Sequence, residues 1–267
     1  MKSDRAIRFA SAGVDEGIVE ELLKQARHRL ERELKLIRRP DAALGIADSP
    51  LGDLLVAISD RGIVLNHYVR DAADIAATIA RLRPHFDLVE DRAPARAVGE
   101  QVRRYLAGEI TALDRKVDLT LASTAFHKKV LTALMAVPRG AVVSYQALGS
   151  AVGAANAPRA IGNAMHNNPV PVYVPCHRVI ASGGGIGGYG GGIARKLRLL
   201  RAEGFAVSDD ATRIARDAVW GHRATRIYCK PGCRAAARAN AAAVLLFANA
   251  QAAQQAGMRP CRICSPA

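Results

Sequence analysis

The chain has 267 residues, half of them hydrophobic, with 38 Lys or Arg against 24 Asp or Glu and a formal net charge of +14. Such length and apolar content exclude a disordered chain and allow about two packed domains. The basic balance favours a polyanionic partner, nucleic acid first, over a merely solvated basic surface.

The first periodic segment runs from Ile18 to Arg39, with an apolar stripe at Ile18, Leu22, Leu23, Ala26, Leu30, Leu34 and Ile37. That spacing predicts a helix ending at Pro40, expected to pack on a neighbouring domain, with a short coiled-coil dimer as the alternative. From Ala43 to Val69 short β-prone runs alternate with the turn signals SPLG and DRG, which predicts an antiparallel meander. Helical patterns follow at 72–83 and 96–107. FHKKVLTALM then reads as a helix closed by Pro138, Arg139 and Gly140, VVSY as a short strand, and the chain from Gln146 as a second helix. A third helix is predicted from Pro158 to about Asn167, stopped by Pro169. Two short helices joined by a glycine-containing turn are the pattern of a helix-turn-helix, which lays its second helix in a DNA groove. IARKLRLLRAEG is strongly periodic, and the alanine-rich run 235–256, interrupted by Arg, Asn and Gln, reads as helix in a soluble domain with no membrane span.

Residues 174–192 read VPCHRVIASGGGIGGYGGG. Gly183, Gly185 and Gly188 match the spacing of a dinucleotide fingerprint, with Glu203 as the later acid. That fingerprint must open directly into a helix inside a βαβ unit, and here further glycines intervene. The competing reading is a reactive thiol, because His177 and Arg178 can depress the pKa of Cys176, while Asn168, Tyr145 and Glu203 offer hydrogen-bonding groups. A cysteine hydrolase fits that reading as well, and an inert buried cysteine is the bland alternative. The other four cysteines, Cys229, Cys233, Cys261 and Cys264, form C-x3-C and C-x2-C pairs, a zinc spacing. With one cysteine left over and no apolar leader in MKSDRAIRF, a reducing compartment and a cytoplasmic location are expected.

PVYVPCHRVI, preceded by VPRGAVVSYQALG and RAIGNAMHNNP and followed by GGYGGG and LLRAEG, resembles the O6-alkylguanine-DNA alkyltransferase family from about Ser49 to Gly204. The resemblance implies an α+β fold. It comprises a helical extension (1–41), an antiparallel-sheet subdomain of ribonuclease H-like form (42–118) and a winged-helix-like subdomain with the helix-turn-helix (119–206). It also implies roles. Cys176 accepts the alkyl group, His177, oriented by Glu203, takes the thiol proton through a water, and Asn168 fixes the helix junction. Tyr145 donates to the guanine N3, Arg159 enters the stack in place of the flipped base, and Tyr189, Gly190, Met165, Pro171 and Val179 line the base site. Gly190 stands where the family often has serine, leaving only a backbone N–H. A base inside a duplex is out of a thiol's reach, so extrusion and a filler are required. Attack on the alkyl carbon drives negative charge onto the guanine, which explains donors at its edge. The implied substrates are O6-alkylguanine and O4-alkylthymine in double-stranded DNA, repaired once per molecule; a monomer is the expected form, and the sequence leaves the oligomeric state open.

RATRIYCKPGC and LLFANAQAAQQAGMRPCRIC resemble the metal-binding methyl-acceptor domain of the Ada protein, over roughly Asp217 to Pro266. This implies a small zinc-bound α+β module (212–267) in which Cys229, Cys233, Cys261 and Cys264 hold Zn2+ and Cys229 takes a methyl group from a DNA methylphosphotriester. A four-thiolate zinc centre repels an ordinary phosphodiester, whereas a methylated phosphate is neutral and can approach. From Thr212 onward nine Lys or Arg accompany a single acid, Asp217, and can hold the neighbouring phosphates. In Ada this module precedes a transcription-activating domain, and here it comes last, which favours repair. The rival is a zinc-dependent DNA-binding regulator that senses methylation.

Overall fold

The computed structural model describes residues 16–37, 39–208, 210–214, 218–235 and 243–266. The chain divides into two compact units, Met1–Pro40 and Asp41–Ala267. The first contains α1 (Glu16–Ile37), on which Leu22, Leu23 and Leu30 are exposed. Of the predicted stripe, the side chains of Ile18, Leu34 and Ile37 lie outside the described residues. No described helix is long and apolar enough to cross a membrane.

The second unit begins with β1 (Asp41–Ala47), β2 (Leu54–Ser59) and β3 (Gly62–Tyr68), the expected antiparallel meander. After α2 (Ala72–Leu82), β4 (Asp87–Glu90) returns parallel to β1, giving the order β3-β2-β1-β4. Four residues with two apolar side chains were too short a pattern to announce that strand. Helix α3 (Arg92–Leu106) starts four residues before the expected 96, because the Asp91 carboxylate caps it by accepting from Ala93 N at 2.9 Å. It lies close on the sheet: a Cβ at Gly99 would stand 2.4 Å from the Asp48 carbonyl.

Next come α4 (Ala125–Met135), β5 (Ala141–Ser144), α5 (Tyr145–Ala151) and α6 (Pro158–His166). Ser144 ends the strand and caps α5, its hydroxyl accepting from Ala147 N at 3.0 Å, so Tyr145 opens a helix where a strand residue was predicted. Proline opens α6, where a missing N–H costs nothing. Then β6 (Val179–Ile180) pairs parallel with β5, and α7 (Ile193–Ala202) follows the glycine run.

The C-terminal part contains β7 (Val219–His222), β8 (Ile227–Cys229), β9 (Val244–Phe247), α8 (Ala250–Gln255) and β10 (Arg259–Pro260). The predicted single helix over 235–256 is not what forms. VLLF at 244–247 is a strand paired on both edges, and helix is confined to α8, while 236–242 lie outside the described residues. Phe247 is fully buried there, and burial of a continuous apolar run outweighs the helix preference of the flanking alanines. The sheet order β10-β8-β7-β9-β5-β6 runs straight across the boundary expected between 206 and 212.

Candidate active site and metal centre

Cys176 opens a short 3-10 turn (Cys176–Arg178) and is 6% exposed. Asn168, just beyond α6, donates from Nδ2 to the Val174 carbonyl at 2.9 Å and to Cys176 Sγ at 3.1 Å, and its Oδ1 accepts from Val170 N at 3.0 Å. One amide therefore ties the end of α6 to the loop carrying the thiol. Burial pushes the Cys176 thiol above its ordinary pKa, against the pull of Asn168 and of the Lys196 charge. The sulfur is held as a thiol and needs a base.

A candidate for that base stands next to it in sequence. His177 is fully buried, and its Nε2 meets Glu203 Oε1 at 2.6 Å. Burial lowers the His177 pKa despite that carboxylate, so the ring is neutral near pH 7. Burial works against the Glu203 charge, but His177 and Arg178 outweigh it and hold the carboxyl well below the usual range. A neutral ring facing a carboxylate donates from Nε2 and keeps its lone pair on Nδ1, which is buried without a partner among the described residues.

Sequence reasoning missed much of this support. The Tyr105 hydroxyl, from α3, donates to Glu203 Oε1 at 2.6 Å. Arg178 Nε meets both carboxylate oxygens at 3.1 and 3.0 Å, and its NH2 reaches Tyr105 at 3.0 Å. Gly140 N–H donates to Glu203 Oε2 at 3.3 Å. Lys196 is completely buried, with Nζ donating to the carbonyls of Val179 at 2.6 Å and Gly188 at 3.1 Å, and burial lowers its pKa to about 8. Its signal was in the sequence: Ile193, Lys196, Leu197 and Leu200 share one helix face, an odd place for a lysine. Tyr105 carried no such signal, since its partner is 98 residues away.

The thiol borders two cavities. The smaller, about 190 Å³, is lined by Tyr145, Met165, Tyr189 and Gly190 as well as Cys176. The larger, about 480 Å³, shares Met165, Cys176, Tyr189 and Gly190 and adds Pro171, Tyr68 and Arg195. Tyr68 reaches over from β3 to hydrogen-bond the Tyr189 hydroxyl at 2.9 Å. Burial raises the pKa of Tyr145 and Tyr189, so both remain phenols able to donate. Val179 lines neither cavity: its side chain is fully buried in the core, and its carbonyl accepts from Lys196 Nζ at 2.6 Å. Arg159 is exposed at the second position of α6, away from the thiol cluster in hydrogen bonding.

Cys229 ends β8, and Cys233 follows a turn closed by Cys233 N donating to the Lys230 carbonyl at 3.2 Å. With Cys261 and Cys264 after β10, the four sulfurs lie within 4.8 Å of one another. Backbone N–H groups point at two of them, Lys230 at Cys264 Sγ and Ile263 at Cys261 Sγ, each at 3.4 Å. Four converging sulfurs, with N–H donors that favour thiolates, fit tetrahedral zinc. A cleft of about 660 Å³ opens beside Cys229, walled by Trp220, His222, Arg259, Arg262 and Ile263.

Comparison with known proteins matches these two centres separately. Residues 125–205 match the family model described as 6-O-methylguanine DNA methyltransferase, DNA binding domain, and residues 205–267 that of the metal binding domain of Ada. The methylated-DNA–protein-cysteine methyltransferase of Mycobacterium bovis is 38% identical over 165 residues, covering 62% of this chain and 94% of that protein. The bifunctional transcriptional activator/DNA repair enzyme Ada of Escherichia coli is 36% identical over 160 residues, 59% of this chain and 44% of its own length. The crystal structure of the Mycobacterium tuberculosis O6-methylguanine methyltransferase superposes with a TM-score of 0.50 at 34% identity, over 61% of this chain and 92% of that one. The four-cysteine cluster falls within the Ada match and is a zinc site. The chain belongs to the methylated-DNA–protein-cysteine methyltransferase family, with an Ada-type metal-binding domain at its C-terminal end.

Proposed function

We infer that this protein repairs DNA by moving an alkyl group from the O6 oxygen of guanine to the sulfur of Cys176, once per molecule. The observation that carries the reading is a buried thiol on a cavity wall, fixed by Asn168 and backed by the His177–Glu203 pair. The neutral imidazole, with Nε2 committed to Glu203, takes the thiol proton at Nδ1, through a bridging water. The sulfur attacks the alkyl carbon in line. The S–C bond forms as the C–O bond breaks, O6 becomes a carbonyl, and the guanine takes up a proton that balances the one lost by the thiol. Tyr145, a phenol at the cavity wall, donates to the ring N3 as negative charge grows there. The thioether has no route back to a thiol, so each chain acts once.

The same chemistry suits O4-alkylthymine. Arg159, exposed on α6, fills the place of the extruded base in duplex DNA. At the second centre zinc, when bound, keeps the sulfur of Cys229 anionic yet nucleophilic. Cys229 accepts a methyl group from a methylphosphotriester placed in the cleft beside Arg259 and Arg262. We take the working form to be a cytoplasmic monomer.

The test is incubation with a duplex carrying a single O6-methylguanine, followed by proteolysis and mapping of the methylated cysteine. The methyl group is expected on Cys176, and Cys176→Ala is expected to abolish transfer. Transfer that survives in Cys176→Ala would refute the assignment.

A further inference from the structure

The C-terminal module contributes more to this fold than four cysteines. Its strand β9 continues the sheet of the alkyltransferase half through the pairs Ala141↔Phe247 and Val142↔Leu246. Directly beyond that pairing the Ala248 N–H donates to the Gly140 carbonyl at 2.9 Å. The N–H of the same glycine donates to Glu203 Oε2 at 3.3 Å. Gly140 has φ +73°, and a Cβ there would stand 3.0 Å from the Cβ of Ala252 on α8. A single residue thus joins the backbone of the zinc module to the carboxylate that holds His177.

We propose that β9 and Ala248 clamp the Gly140 turn so that its N–H reaches Glu203, making the zinc module a positioning element of alkyl transfer at Cys176. The proposal rests on the reading of Cys176 as alkyl acceptor and His177 as its base. Glu203 Oε1 receives Tyr105, His177 and Arg178, whereas Oε2 has, among the described residues, Arg178 and Gly140. If the turn swings away, Oε2 keeps the guanidinium alone. The carboxylate then rotates toward Arg178 and the 2.6 Å bond to His177 loses its alignment. Ala248 hydrogen-bonds Gly140 by its backbone, and its Cβ packs 3.8 Å from where a Cβ on Gly204, the neighbour of Glu203, would stand. The other charged group facing His177, Lys196, is held by carbonyls of the alkyltransferase half and is unaffected by the clamp.

The test uses the full-length zinc-loaded protein and a duplex with one O6-methylguanine. Ala248→Pro removes the N–H donor. Phe247 before it is already in a strand, the conformation a following proline favours. The first-order rate of Cys176 methylation is expected to fall about tenfold, while final stoichiometry, zinc content and duplex affinity stay unchanged. A misfolded fraction would lower the stoichiometry instead and leave the rate of the remainder alone. Gly140→Ala, which crowds the turn from the α8 side, provides a second disturbance of the same contact. It is expected to slow transfer too, and the double variant no more than the slower single. A wild-type rate in Ala248→Pro with zinc bound, or additive effects in the double variant, overturns the clamp alone. Failure of the wild-type chain to methylate Cys176 overturns the alkyl-acceptor reading beneath it.

Discussion

In the proposed mechanism, the Tyr105 hydroxyl and the Glu203 carboxylate hold His177 in place as the base. Tyr105 brings a hydroxyl from α3 onto Glu203, so Tyr105→Phe leaves one carboxylate oxygen and the Arg178 NH2 short of a partner. A loss of about 1 kcal/mol in stability is expected, with slower Cys176 methylation at unchanged stoichiometry. Urea unfolding beside single-turnover kinetics checks both, and an unchanged rate would confine Tyr105 to packing. Glu203 makes a pH prediction. Its folded pKa lies below the unfolded value of about 4.3, so its stabilising contribution is fully present above that value and lost as pH falls toward the folded one. Glu203→Gln leaves Arg178 buried without its counter-charge, which costs about 3 to 5 kcal/mol near neutrality. The gap between wild type and variant should narrow as pH drops below about 4.3. A gap independent of pH would mean that the carboxyl is not ionised in the native protein.

Among the elements, α6 is the proposed link from the chemistry to DNA, since Asn168 just beyond it fixes the thiol loop and Arg159 at its start is exposed. Arg159→Ala is expected to slow repair of duplex DNA by tenfold or more, on the order of the few kcal/mol that extrusion costs, and to leave transfer from free O6-benzylguanine nearly unchanged. Equal losses on the two substrates would remove Arg159 from base extrusion. The meander, α2, α4, α6 and α7 were legible because their periodicities are local and their stops are proline, glycine or capping side chains. The thiol cluster was legible because PCHRV, Asn168, Tyr145 and Glu203 come in a known order at a known spacing. What could not be read depends on distant partners. β4 is a strand because β1 offers it an edge, and VLLF is a strand because β5 and β7 flank it. Tyr105 matters because α3 delivers it to a carboxylate 98 residues on.

At the largest scale, one sheet of the unit Asp41–Ala267 joins the thiol site to the zinc cluster, whose Cys229 is the proposed second acceptor. Methylating a thiolate of the zinc cluster changes its net charge from −2 to −1. A unit charge about 8 Å from a phosphate is worth roughly 2 kcal/mol at an effective dielectric of 20, before salt screening. Methylation at Cys229 should therefore tighten DNA binding by the full chain, most at low ionic strength and less as salt is added. Titration of labelled duplex at several salt concentrations, before and after reaction with methylphosphotriester DNA, reads this directly. Identical affinities at the lowest salt would leave the zinc cluster a purely structural staple.

Single-use alkyl transfer to Cys176 is tested most simply by intact-mass spectrometry of the zinc-loaded chain after reaction with excess duplex containing one O6-methylguanine. A mass gain of one methyl group per chain is expected, mapped by proteolysis to Cys176, with DNA turnover stopping at one equivalent of active protein. Continued turnover with Cys176 unmodified, or a methyl group placed on any other residue, would contradict it.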